Sequence, residues 1–93
     1  MSDVQFVLVD EMFGENKGRP GRGKWWSTPG GEHQGLHFWC PCGCGSLLGV
    51  TVKGPNPWNW NGDREKPTVT PSILHMDDCR WHGFLTAGVF RAC

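Results

Sequence analysis

Five residues in two short clusters have the types and spacing of a single metal site. Cys40, Cys42 and Cys44 lie in the run Cys40-Pro41-Cys42-Gly43-Cys44-Gly45, and Cys79 and His82 lie in Cys79-Arg80-Trp81-His82. Thiolates and an imidazole at these intervals suit one zinc ion, which takes four ligands in a closed structural site. The set holds one candidate more than zinc needs, so one residue is spare or packs behind the others. The order of preference is Cys79, His82 and Cys44 first, then Cys42 and Cys40. The mixture of histidine with thiolates favours zinc over iron. Cysteine without a ligand role behaves as a small hydrophobe, which does not account for two compact clusters.

The elements around these clusters follow from the pattern of side chains. Leu36, Phe38 and Cys40 alternate with His37 and Trp39, a period of two that predicts a strand running straight into the cysteine turn. On that parity Cys40 points with Leu36 and Phe38 towards the core. Cys40 precedes a proline and is biased towards an extended backbone. Gly43 and Gly45 permit the positive φ angles that wrap a chain around an ion, and such a turn aims backbone amides at sulfur. Leu47 to Val52 is the returning strand, so the cysteines sit at the tip of a hairpin of zinc-knuckle type.

Further strands are expected over Val4 to Val9, over Pro67 to His75 as an edge strand because proline cannot donate to a ladder, and over Gly83 to Phe90 as a final hairpin. Trp58 and Trp60, either side of Asn59, should face one side. The glycines and proline between Gly14 and Lys24 argue against a helix or strand interior, so residues 14–31 read as a flexible, basic, Gly-rich loop. No helical period exceeds about two turns. The expected fold is mainly β: a small antiparallel sandwich or partly open barrel, one domain over 1–93, with a zinc-knuckle hairpin and long irregular loops.

With 38% apolar residues and 14 glycines among 93, the core is modest, and a metal cross-link supplies stability that such a core cannot. Nine basic residues balance nine acidic ones, so no overall field favours nucleic acid or membrane. The Met1-Ser2-Asp3 start lacks the positive region of a signal peptide, and Phe6-Val7-Leu8-Val9 is too short for a membrane span. These features predict a cytoplasmic protein, where clustered cysteines bind metal rather than form disulfides.

The specific order Cys-x-Cys-Gly-Cys-Gly, tryptophan, Pro-Thr-x-x-Pro-Ser-Ile, then Cys-x-x-His, covering Phe38 to Phe90, resembles an uncharacterised family of small metal-site domains from phage and bacterial genomes. Phage relatives of this kind often carry an ammonia monooxygenase label. That chemistry belongs to a copper membrane enzyme, and this chain has neither a span nor a suitable histidine set. Some bacterial relatives lie beside ubiquitin-like conjugation genes, which implies an adaptor or accessory role and transfers no catalytic residue.

The leading expectation is a small phage-type, zinc-stabilised binding or adaptor protein. It would meet a protein partner through Trp25, Trp26 or the basic positions Lys17, Arg19, Arg22 and Lys24. Charges beside paired rings also suit single-stranded nucleic acid, with phosphates on the cations and bases on the rings. A zinc hydrolase, with an open coordination position and Glu32, His33, Asp77 or Asp78 as general base, is the third reading. The zinc deaminase order, His-x-Glu ahead of Cys-x-x-Cys, is not met by Glu32-His33 and Cys-x-Cys-x-Cys. No catalytic residue is assigned at this level. His33, His37 and His75 read as surface or core histidines, and Cys93 as a free thiol.

Overall fold

The computed structural model of the protein describes residues 3–74 and 80–92. Among these residues nine strands form two sheets: β1 (Val4–Gln5), β2 (Val7–Leu8), β3 (Arg22–Ser27), β4 (Gln34–Trp39), β5 (Leu47–Lys53), β6 (Asn59–Trp60), β7 (Val69–Leu74), β8 (His82–Thr86) and β9 (Val89–Ala92). One sheet has the order β1-β9-β8-β7-β6 and the other β2-β3-β4-β5. All pairings are antiparallel except β2 with β3.

The two sheets face each other across one core and do not close into a barrel. Leu36 and Phe38 of β4 and Leu48 and Val50 of β5 meet Val69 and Ile73 of β7, Leu85 of β8 and Phe90 of β9. Phe90 lies at the centre, its ring 4.8 Å from Phe38 and in edge contact with Phe6 and Trp81. The alternation along β4 is as the residues dictate: Leu36, Phe38 and Cys40 are buried, and His37 is exposed. Trp39 is buried on the other side of the strand, where Phe13 packs edge-on and the Met12 carbonyl accepts its indole N–H at 2.8 Å.

Two elements differ from the sequence expectation. The apolar run from Val4 to Val9 is two short strands in different sheets, because buried Phe6 sits at the crossing between them. There the Phe6 amide donates to the Gly88 carbonyl of one sheet and the Val7 amide to the Gly21 carbonyl beside the other. The stretch 14–31, read as a flexible loop, contains a single 3-10 turn at Gly14–Asn16 and the whole of β3. Gly23 does not break β3. It fits there because a Cβ would lie 2.6 Å from the His37 carbonyl and 2.8 Å from the Phe6 ring, so only glycine allows this approach.

β7 is not the edge strand expected from the sequence: it lies between β8 and the two-residue β6, which forms the edge, and its proline is accommodated where the ladder with β8 is interrupted. Its pairing with β8 is irregular. Val69 pairs with Leu85 and Ile73 with Gly83, so Thr70, Pro71 and Ser72 bulge opposite Phe84 alone. Bulges of this kind re-aim side chains. Here the bulge keeps Val69 and Ile73 facing the core while Ser72 is turned to the outer face.

Candidate functional site

Two groups of chemically capable side chains emerge, one at the end of the β4–β5 hairpin and one on the outer face of the β7–β8 pair.

In the first group, the Cys40 amide donates to the Ser46 carbonyl at 2.8 Å, closing a tight turn between β4 and β5. Gly43 and Gly45, with φ of 87° and 85°, take the left-handed turns that bring the sulfurs together. The Sγ atoms of Cys40, Cys42 and Cys44 all lie within 4.8 Å of one another, with Cys40 and Cys42 at 3.3 Å. Thiolates about 2.3 Å from a tetrahedral ion stand about 3.8 Å apart, so these three could hold a metal ion. The Cys44 amide points at Cys42 Sγ from 3.3 Å, a donor that favours the thiolate. Cys40 is buried in the core, whereas Cys42 and Cys44 face outward. Cys79, and with it His75, Asp77, Asp78 and Cys93, lies outside the described residues.

His82 is placed differently from the cysteines. It opens β8, exposed, directly across from Leu74, and is not part of the three-cysteine cluster. Its Nε2 lies 2.9 Å from the hydroxyl of Ser72. Both side chains stand on the outer face of the sheet, as Ser72 and Leu74 share a parity opposite to that of buried Ile73. The Ser72 carbonyl accepts the indole N–H of Trp58 at 3.4 Å, and Trp58 is itself packed against the core. The serine is therefore fixed from two sides: by the bulge, and by a ring anchored in the interior.

The basic and aromatic candidates are dispersed. Arg19 donates to the Glu15 carbonyl at 3.1 Å and Arg22 to the Asn16 side chain at 2.6 Å, so both guanidiniums brace the turn that precedes β3. Lys24 is exposed on β3, across from His37, and Lys17 ends the 3-10 turn. Trp25 faces inward, 4.4 Å from the Trp60 ring, with its N–H on the Arg64 carbonyl. Trp26 turns to the other face of the sheet, beside His37, over Gly35, where a Cβ would strike its ring. A hollow of about 410 Å³ between Phe6, Val7 and Leu8 on one side and Glu65 and Lys66 on the other is lined, among the described residues, by no serine, histidine or cysteine.

Ser72 was not singled out by the sequence reading, although Pro71-Ser72-Ile73 was. The missing signal was the register, since a ten-residue gap in sequence becomes a hydrogen bond only once the bulge is placed. Among the described residues, no helix is long and apolar enough to cross a membrane. No curated protein and no solved structure matches the chain. The family described as "Bacterial ubiquitination-like system serine protease (BubE)" matches residues 13–93, and the chain belongs to that family.

Proposed function

We propose that this protein is a serine hydrolase acting on a protein chain, with Ser72 as nucleophile and His82 as general base. The observation that carries this reading is the 2.9 Å approach of Ser72 Oγ to His82 Nε2 on an open sheet face. That is the nucleophile-to-base contact acyl transfer requires. With the His82 proton on Nδ1, the hydroxyl donates to Nε2 and is poised for attack. The family description, a serine protease of a bacterial ubiquitination-like system, supports the same chemistry and suggests a protein of such a system as substrate. A protein partner, expected from the sequence as the target of an adaptor, is here the substrate.

The reaction has two halves. Ser72 Oγ attacks the substrate carbonyl carbon while its proton passes to His82 Nε2. The tetrahedral species then expels the amine, which takes that proton and leaves an ester on Ser72. Water attacks the ester, giving a proton to Nε2. Collapse of the second tetrahedral species releases the carboxylic acid product and returns the proton to Ser72. Trp58, on the Ser72 carbonyl, holds the serine backbone in place through both halves.

The cysteines have a separate, structural task in this reading. Cys40, Cys42 and Cys44, with Cys79 as fourth ligand, would hold one zinc ion. What supports Cys79 is the company of Cys40 in the core, which includes Ile73 and Trp81, residues on either side of the connection that carries Cys79. Such an ion would tie the β4–β5 hairpin to the chain between β7 and β8. Ser72 and His82 stand on the two strands that this connection joins.

The test is a fluorophosphonate probe, which phosphonylates an activated serine. Mass spectrometry of the labelled protein is expected to place the adduct on Ser72, with labelling lost in Ser72→Ala and reduced about 10²- to 10⁴-fold in His82→Ala. Labelling on another serine, or undiminished labelling of His82→Ala, overturns the assignment.

A further inference from the structure

We infer that the outer face of the β7-β8-β9-β1 sheet carries a substrate subsite built on Phe84 and Arg91. It takes an extended protein segment whose acidic side chain lies two to four residues from the bond that is cut. The inference rests on the assignment of Ser72 and His82 as the reacting pair.

The register places the parts in one row. Phe84 on β8 pairs with Arg91 on β9. One step beyond the Ile73–Gly83 pair, the bulged Ser72 lies on the other flank of Phe84. On the far side of β9, the Asp3 carboxylate accepts from Arg91 Nε at 3.2 Å. The row therefore reads Ser72, Phe84 and Arg91 on three neighbouring strands, with Asp3, just ahead of β1, beyond them. Phe84, Thr86, Ala87, Val89 and Arg91 line a cleft of about 360 Å³ that opens on this face.

Three properties of the row point to a peptide with a carboxylate. Phe84 and Leu74, 44% and 52% exposed, flank the reacting pair with apolar surface that nothing in the chain covers among the described residues. Exposed apolar area beside a reactive pair is suited to substrate contact. Arg91 already holds a carboxylate, and the guanidinium fork matches that group. The Arg91–Asp3 pair is open to solvent, with side chains 70% and 47% exposed, so it is worth little and a substrate carboxylate can replace Asp3.

The geometry sets the distance along the substrate. Adjacent strands lie about 4.8 Å apart, so Arg91 stands about 10 Å across the sheet from Ser72. An extended chain advances about 3.3 Å per residue. A segment crossing over Phe84 therefore presents its third residue to Arg91, give or take one for the length of the arginine side chain.

The experiment has two arms. In the first, the wild-type protein is treated with a fluorophosphonate, with the adduct located by mass spectrometry, which reports on the nucleophile and not on the subsite. In the second, pools of randomised ten-residue peptides are bound to Ser72→Ala protein and to the same protein carrying Arg91→Glu, and the retained peptides are sequenced. Ser72→Ala is expected to enrich Asp or Glu at a fixed distance from an apolar residue by about tenfold, equivalent to 1.4 kcal/mol. With Arg91→Glu the preference should invert to Lys or Arg. Asp3→Asn, which frees Arg91, should strengthen the acidic preference and serves as a variant that leaves β9 intact. An absence of acidic enrichment, or enrichment that survives Arg91→Glu, overturns the subsite. Labelling without enrichment leaves the nucleophile and removes the subsite. Enrichment without labelling removes the reacting pair and with it the substrate subsite, leaving only a face that binds acidic peptides.

Discussion

Replacing His82 by alanine separates two roles that its sequence context suggests. As the last residue of Cys79-Arg80-Trp81-His82 it has the spacing of a metal ligand. In the fold its described contact is the Ser72 hydroxyl, on the exposed face of β8. If His82 held zinc, its loss would draw on a binding free energy of about 10 to 16 kcal/mol. That is as large as the total stability of a small domain, about 5 to 15 kcal/mol, and the chain would unfold. If His82 is the base, the fold loses one hydrogen bond at an exposed position, about 0.5 to 1.5 kcal/mol. At about 4 to 8 °C per kcal/mol for a domain of this size, the midpoint should fall by no more than about 12 °C. Loss of general base catalysis should meanwhile cost about 10²- to 10⁴-fold in turnover. The assay pairs thermal unfolding by circular dichroism with metal content and with hydrolysis of a peptide substrate, on wild type, His82→Ala and Cys40→Ser. The expected pattern is a stable, metal-loaded, inactive His82→Ala beside a destabilised, metal-poor Cys40→Ser. A His82→Ala protein that sheds its metal or unfolds would refute the reasoning, as would one that retains wild-type turnover.

Other outcomes follow from the same geometry. Stripping metal with a strong chelator should lower the midpoint by tens of degrees, and Cys40→Ser should be more damaging than Cys44→Ser, because Cys40 is buried and Cys44 exposed; paired melts with and without chelator check both. Phe90→Ala empties the centre of the core, where Phe38, Phe6 and Trp81 converge, and should cost about 3 to 5 kcal/mol by denaturant titration. The amides of Lys66 and Glu65 hold the Asp63 carboxyl below its ordinary value of 3.8. A lowered folded value means that the carboxylate stabilises the fold above the unfolded value and that this contribution fades as pH falls through the folded one. Melting curves from pH 5 down to pH 2 should therefore fall more steeply for wild type than for Asp63→Asn.

Much of the scaffold can be read in the residues. The Leu36, Phe38, Cys40 row fixes which face of β4 is inside, and Pro41, Gly43 and Gly45 announce the turn that gathers the cysteines. What cannot be read there is any relation that depends on which strand lies next to which. Val4 to Val9 is apolar except for Gln5, and nothing local says that Phe6 is where the chain changes sheets. The glycine in β3 looks like a breaker until the His37 carbonyl and the Phe6 ring are seen pressing on it. The Ser72 and His82 contact is hidden for the same reason. Two-residue periodicity carries no information about a bulge, and the bulge alone brings these positions into line. The Cys-x-x-His interval is a local signal, whereas the register that sets Ser72 beside His82 is a distant one.

The crossing at Phe6 also has a consequence for how copies of the protein meet. β1 closes the open side of β9 in one sheet, and β2 closes the open side of β3 in the other. These two caps come from residues 4–8, ahead of the matched family region that begins at residue 13. This short ribbon thus covers two separate borders at once. If it were peeled away or claimed by a neighbouring molecule, both borders would become sticky together. Exchange of this ribbon between two copies would yield a twinned form with each border sealed by the other chain, and trimming it would favour open-ended stacking.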